Sequence, residues 1–390
     1  MSWQRTTLGE VATIVMGQSP PGSTYNEVGQ GLPFYQGVKD FGSRYPTKHV
    51  YCTAPTRIAE EGDILFSVRA PIGSINRANE KCSIGRGLSI VRAHNGDDFD
   101  FIEYLLKSMN RAWGAYESQG AIFGNARRRD LEDLQIAWPP HSVRVQIASI
   151  LSAHDDLIEN NRWRIRLLEE SARLLYREWF VRLRFPGHEH VKIIDGVPEG
   201  WEKSIVSKLG DVVTGKTPST KEPDNFGGKI PFIKTPDMHK NPIIVETSQY
   251  LSEKGANSQA KKYIPKDSIM VSCIGTVGIV AINAIKAQTN QQINTVIPQK
   301  EHFRYYIYFA LSDLKSRLEA MGGGATMVNV NKGKFESLPV VIPSDLILQE
   351  FHEVCNPMFL QIKNLLIQNK KLKTARDLLL PRLMNGEIEV

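Results

Sequence analysis

The sequence predicts an α+β protein in which two pseudo-repeated units of α/β type are separated by two long helices forming an antiparallel coiled coil. Three observations predict it. Shifted by about 204 positions, the 390-residue chain falls back on itself. After each repeat comes a segment whose apolar residues recur at alternating spacings of four and three, the seam of a coiled coil. Within each repeat, Val- and Ile-rich runs are broken by glycines, as in strands joined by tight turns.

The repeat shows residue by residue. "ILFSVRAPIGSI" (Ile64 to Ile75) matches "IMVSCIGTVGIV" (Ile269 to Val280), setting Ser67 on Ser272 and Gly73 on Gly278. Pro33-Phe34 falls on Pro231-Phe232, Gly120 on Gly324, Asn125 on Asn329 and Pro139 on Pro343. The stretch Ser268 to Ile285 is uncharged over 18 residues, the lower edge of a membrane-spanning length. Its counterpart in the first repeat holds Arg69, which mid-bilayer would not tolerate. Both copies therefore read as a strand, a turn and a second strand, and no membrane span is expected.

The units occupy residues 1–140 and 186–343, the helices residues 141–185 and 344–390. The first seam runs through Ile147, Leu151, His154, Ile158, Asn161, Ile165, Leu168, Ala172, Leu175 and Trp179. Adding 204 gives Phe351, Cys355, Met358, Ile362, Leu365, Asn369, Leu372, Arg376, Leu379 and Leu383. Eight of ten are apolar in each case, so the two seams pack most simply on each other. Forty residues at ~1.5 Å each make a rod of roughly 60 Å. Antiparallel pairing would set one unit toward each end, which suits a long regular ligand such as DNA. Pro357 is expected to kink or break the second helix.

Composition excludes several classes. A hydrophobic fraction of 41% and a charged fraction of 23% describe an ordinary soluble globular protein. The four cysteines lie far apart with no C-x-x-C, which suits a reducing cytoplasm and argues against structural zinc. "MSWQRTTLGE" has no apolar core of a signal peptide.

One motif invites a different reading. "LGDVVTGKTPST" (Leu209 to Thr220) fits the phosphate-binding pattern G-x-x-x-x-G-K-[ST]. Its first-half counterpart, "LGEVATIVMGQSPPGS" (Leu8 to Ser23), spaces Gly9 and Gly17 differently and has Gln18 in place of the lysine. Pro218 directly after Thr217 marks a turn rather than a helix with its N-terminus on phosphate. The shared feature is a small-polar loop after a short amphipathic segment. "NPMF" (Asn356 to Phe359) lacks the second proline of an adenine-methyltransferase N-P-P-[YF] motif, and "HEH" (His188 to His190) has no third metal ligand nearby. No catalytic constellation of diagnostic spacing and no metal site is expected.

The net charge of +6 is spread thinly. Residues 1–140 are balanced, 15 basic against 15 acidic, and residues 186–343 carry 19 against 15. A nonspecific DNA coater would be more basic, so selective readout from local patches fits better. The first unit favours arginine (11 Arg, 4 Lys) and the second lysine (17 Lys, 2 Arg). Arginine forks match guanine edges and lysine acts as a point charge, so the units look built to read different things. Candidate contacts are polar residues beside turns. In the first unit these are Arg69, Arg77, Lys81 and Arg86, with Arg127, Arg128 and Arg129 ahead of the helix. In the second they are Lys216 and Thr217, the amides Asn290, Gln291 and Gln292, and Asn329, Asn331 and Lys332.

These features together resemble the specificity (S) subunit of type I restriction–modification systems over the full length. The resemblance is carried by "PPHSVRVQIASILSAHDDLIENN" (Pro139 to Asn161), "LGDVVTGKTPST", "RDLLLPRLMNGEIEV" (Arg376 to Val390), "GDILFSVRAPIGSI" and "ANEKCSIGRGL". It implies two target recognition domains, each reading one half of a split site in double-stranded DNA. It also implies helices that space these domains and dock two methyltransferase (modification) subunits. S-adenosylmethionine would belong to those partners, and ATP and Mg2+ to the restriction/motor subunits; this chain would hold no cofactor and catalyse nothing. Two other readings are a stand-alone nucleotide-binding enzyme using Gly210 to Thr217, and a coiled-coil scaffold that binds only protein.

Overall fold

The computed structural model describes residues 3–109, 113, 125–239, 241–321 and 329–390. Gly120 and Gly324, one matched pair of the repeat, lie outside the described residues. The chain gathers into two compact units, Met1–Ile158 with Lys371–Val390, and Glu159–Lys370.

In the first unit the run "ILFS" becomes the strand Ile64–Ser67, held antiparallel between Leu88–Ala93 and Ile75–Arg77, with Ala12–Met16 beyond Leu88–Ala93. Successive side chains of a strand point to opposite faces, and here both faces are covered. Ile64 and Phe66 enter a core with Ile14, Val91, Ile102 and Leu106, whereas Leu65 enters another with Tyr35, Ile84 and Ile90. That double burial is why the run is apolar throughout rather than alternating. A second sheet orders Tyr25–Asn26, Tyr51–Cys52, Leu32–Tyr35, Cys82–Ile84 and Ile58–Ala59, with Leu32–Tyr35 and Cys82–Ile84 parallel.

The second unit repeats the plan. Ile269–Ser272 lies between Ile293–Pro298 and Val280–Asn283, with Gly210–Thr214 outside the former and Ile243–Ile244 outside the latter. The segment that mimics a membrane span is thus two strands and their connection. Its companion sheet orders Gln249–Leu251, Phe226–Ile233, Ala287–Thr289 and Tyr263–Ile264. Each unit also closes a two-stranded ribbon just ahead of a long helix, Gln4–Thr7 with Gln135–Trp138 and Glu202–Ile205 with Pro339–Ile342.

The hydrogen bonds correct one alignment. Leu8 N–H donates to the Leu134 carbonyl at 2.9 Å, and Val206 N–H to the Leu338 carbonyl at 3.0 Å. Leu8 therefore falls on Val206, not on Leu209, and the two Leu-Gly pairs are not equivalent. Register follows the ladder and the core face, which a match of letters does not sense. Gly210–Thr214 is the short amphipathic segment, a half-buried strand, the polar loop follows it, and the next helical element is a single turn at Pro223–Asn225.

The long helices are His141–Tyr176, continued by a π-helical turn Arg177–Val181, and Asp345–Met384. Pro357 does not break the second. It removes one backbone donor, but Cys355 and Phe359 to either side are fully packed, and Asn356 accepts a 2.7 Å bond from Tyr305 Oη. Tertiary packing outweighs the one missing bond. All twenty seam positions are buried or half-buried. In the first unit Arg376 pairs with Asp155, and Leu383 and Met384 pack with Ile147 and Leu151. In the second, Asn161 Nδ2 donates to Asn369 Oδ1 at 2.9 Å, and Trp179 lies against Phe351 with ring centroids 5.7 Å apart. Within each unit one helix ascends in number as the other descends, so the pairing is antiparallel. Among the described residues no helix is long and apolar enough to cross a membrane.

Candidate nucleic-acid interface

In the first unit four chain segments meet where strands end: after Met16, after Tyr35, after Ser67, and between Ile84 and Leu88. They line an open depression of about 410 Å³ that includes Ser19, Gln36, Ser67, Arg69, Arg86 and Gly87. Backbone bonds pin these segments together. Gly17 N–H donates to the Leu88 carbonyl at 2.9 Å, Gly85 N–H to Tyr35 at 2.8 Å, and Val68 N–H to Gly87 at 3.0 Å. Arg86 N–H reaches Ser19 Oγ at 3.3 Å, and Ser67 Oγ donates to the Arg69 carbonyl at 2.8 Å. A side chain at Gly17 would press into the Gly85 carbonyl, and one at Gly87 into that of Gln36. The close approach of backbones explains both glycines.

The second unit makes the same bonds. Gly215 N–H donates to Ile293 at 3.0 Å, Asn290 N–H to Ile233 at 3.1 Å, and Cys273 N–H to Gln292 at 2.7 Å. Thr217 thus stands where the first unit has Ser19, Gln291 where it has Arg86, Gln292 where it has Gly87, and Ile274 where it has Arg69. The isolated bridges Arg69–Asn125 and Ile274–Asn329 repeat in the same way. The side chains here bond to one another. The Thr217 hydroxyl donates to Gln291 Oε1, Thr235 Oγ1 to Gln292 Oε1 at 3.3 Å, and Asn290 Nδ2 to the same oxygen at 2.9 Å.

This geometry accounts for the phosphate-loop look-alike. A Cβ on Gly215 would collide with the Asn290 carbonyl. Lys216 N–H is used on the Thr289 carbonyl at 2.9 Å, and the Lys216 carbonyl accepts from Gln259 Nε2 at 2.7 Å. Backbone donors that would cradle a phosphate are spent inside the sheets.

The predicted contacts divide. Arg69 and Arg86 lie exposed in the first depression, and Lys216, Thr217, Gln291 and Gln292 lie at the matching place in the second unit. Arg77 leaves the set, because it runs inward between Asp100 and Glu103 with only 15% of its side chain exposed. Burial pushes the Glu103 carboxyl up, yet Lys107 and Arg77 outweigh it and hold the group below its ordinary value. Asn290 is buried with its amide turned to Gln292, so it supports the loop rather than facing outward. Lys81 and Glu60 form an exposed pair at 3.1 Å, which ties the lysine only weakly. Arg127 donates its backbone N–H to Asp130 at 2.7 Å to start a short helix in which Arg128 pairs with Glu132, while Arg129 is exposed. Asn331 plays the matching role, its Oδ1 accepting from Lys334 N–H at 3.0 Å, while Lys332 pairs with Glu336 at 3.4 Å and Asn329 is exposed. Ser19 and Gln36 were not singled out from sequence. Each sits just past a strand, Ser19 within the polar loop after Met16 and Gln36 after Tyr35, and only the sheet brings them to Arg86.

Two such units, each a pair of sheets ending in a polar loop cluster and joined to paired helices, define a recognisable class. The crystal structure of a type I restriction-modification system S subunit from M. genitalium shares this fold, with a TM-score of 0.61 over 98% of this chain and 96% of that one at 16% identity. The type I restriction modification DNA specificity domain model matches residues 1–170 and 198–352. The chain belongs to that family. It is 43% identical over 195 residues to the type I restriction enzyme HindI specificity subunit of Haemophilus influenzae, covering 49% of this chain and 42% of the relative. It is 28% identical over 363 residues to the MjaIX specificity subunit of Methanocaldococcus jannaschii, covering 90% of this chain and 83% of the relative. In the first of these alignments the chain thus spans less than half the relative's length.

Proposed function

We propose that this chain is a non-catalytic DNA reader in the cytoplasm, and that each of its two loop clusters selects one half of a bipartite duplex sequence. One observation carries the reading: in a chain of this family, the same hydrogen-bonded scaffold is built twice, with different polar side chains on the two copies. Chemistry would be supplied by partners, two modification subunits using S-adenosylmethionine and restriction/motor subunits using ATP and Mg2+. The thin net charge fits this division, since a reader aided by partners leaves much of the phosphate contact to them.

The test is methylation-sensitive sequencing of DNA from cells with and without the gene, together with exchange of residues 1–140 for those of another family member. The expected result is loss of methylation at one bipartite sequence on deletion, and a change in one half of it on exchange. Unchanged methylation in the deletion strain, or both halves changing together, would reject the reading.

A further inference from the structure

Resting on the reading that the loop clusters touch DNA, the geometry points to a specific division of chemistry between them. Arg69 and Arg86 each read a G·C pair through the major groove in one half-site, and Gln291 reads an A·T pair at the equivalent place in the other.

The arginines of the first unit sort themselves by partner. Arg44 is bound to Asp156, Arg77 to Asp100 and Glu103, Arg92 to Asp63, and Arg128 to Glu132. Arg69 and Arg86 are exposed and line the same depression, and among the described residues neither guanidinium is in an ion pair. The backbone under each is already fixed, at Arg69 by the Ser67 hydroxyl and at Arg86 by Ser19 Oγ. Binding then has to order only the side chains, which lowers its entropic cost. A guanidinium presents two parallel donors, which match the O6 and N7 acceptors of guanine and no other base edge in that groove. Ser19 and Gln36 line the same depression and add shorter polar contacts.

The second unit has lost this chemistry at the same positions. Ile274 replaces one arginine and Gln291 the other. The Thr217 hydroxyl donates to Gln291 Oε1 and so orients the amide. A carbonyl oxygen has a second lone pair, so Gln291 retains one acceptor and its NH₂ donors. That pair complements N6 and N7 of adenine. Lys216, exposed beside it, supplies a point charge suited to a neighbouring phosphate rather than a base.

The experiment selects bound sequences from a random duplex library, using the full chain copurified with its modification subunits. The wild type is compared with Arg69→Gln, Arg86→Gln, Arg86→Lys and Gln291→Arg. The wild type should select a bipartite sequence. Arg69→Gln and Arg86→Gln should each erase preference at a G·C pair of one half by on the order of ten- to a hundred-fold, leaving the other half intact. Arg86→Lys should keep the overall affinity and its salt dependence but weaken the base preference, because the charge and some donors stay and the fork goes. Gln291→Arg should convert an A·T preference to G·C in the other half. If the wild type selects a bipartite sequence and Arg86→Gln keeps the guanine preference, the arginine does not act on a base edge and this assignment falls. The same holds if both glutamine variants weaken all sequences equally. If the wild type selects no sequence, the DNA reading beneath it falls as well.

Discussion

The helix Phe99–Ser108 of the first unit adds a network of charges to its apolar contact with the long helices, where Phe101 and Leu105 pack with Ile147 and Leu151, whereas its counterpart Arg304–Asp313 in the second meets them through a cluster of rings. In the first, Glu103 is 1% exposed between Arg77 and Lys107. Asp155 accepts from Tyr104 Oη at 2.8 Å and pairs with Arg376 and, at 3.5 Å, with Lys107. In the second, Phe359 packs on Tyr305, Tyr308 and Phe309 with centroids 4.4, 5.5 and 6.0 Å apart, and Tyr308 Oη donates to Glu169 at 2.7 Å. The repeat sets Glu103 on Tyr308, Tyr104 on Phe309 and Asp155 on Phe359. One backbone plan therefore accepts two chemistries at the same joint. They differ in how they fail: a ring cluster loses area when truncated, whereas an ion network loses balance when one member goes.

Phe359→Ala should be the costliest single change, at ~3–5 kcal/mol, from the rings it strands. Hydrogen exchange should show the loss in residues 159–370. Asp155→Ala should cost about 2 kcal/mol, because it strands the buried Tyr104 hydroxyl and leaves Arg376 and Lys107 with only Asp377 and Glu103, and the loss should fall in the first unit. The pair Asp155→Leu with Arg376→Leu should recover most of it, since apolar replacement of a buried pair is close to neutral. A double variant as unstable as the single one would show that the network acts through something other than charge balance.

Acid should separate the joints next. Burial pushes the Asp155 carboxyl up, but Lys107 and Arg376 hold it below its ordinary value, as Lys107 and Arg77 hold Glu103. A depressed carboxyl contributes stability above its unfolded pKa and loses it as pH falls toward the folded one. The ordinary values are about 3.8 and 4.5, so the first unit should weaken as pH drops below ~4.5. In the second unit Tyr308 is pushed far up by burial and by Glu169, and stays neutral throughout that range. Exchange in the first unit should accelerate at pH 3.5 before that in the second. Simultaneous loss would contradict the comparison.

The smallest effect concerns Asn161 and Asn369, which bond to each other on a seam whose other polar members are His154 and Arg376. Replacing both with leucine should raise thermal stability by ~1 kcal/mol and weaken the single register, because a polar pair in the seam costs stability and helps set alignment. Cysteine cross-linking at flanking positions would read this as new cross-linked pairs. A single retained cross-link would show that register is set elsewhere.

Much of this was legible in the chain. The seam positions were readable because a helix returns a side chain to the same face every three or four residues. The polar turns holding Arg86 and Gln291 were visible because they interrupt apolar runs at matching places. Arg77 was not legible, since its neighbours in sequence are as polar as those of Arg86 while its partners, Asp100 and Glu103, lie on a helix more than twenty residues on. Pro357 was misjudged because local propensity says nothing of the packing around Cys355 and Phe359.

Self-similarity by itself determined the repeat, and local periodicity the strand–turn–strand segments and the two long helices, because side-chain spacing depends only on backbone geometry. Tertiary structure decided everything that depends on which distant residue comes alongside. It set Leu8 on Val206, turned Arg77 inward, left Arg69 and Arg86 facing out, and added an ion network to one joint and a ring cluster to the other. The physical reason is that burial, pairing and register are properties of contacts across a sheet or between helices, and no window of neighbouring residues contains them.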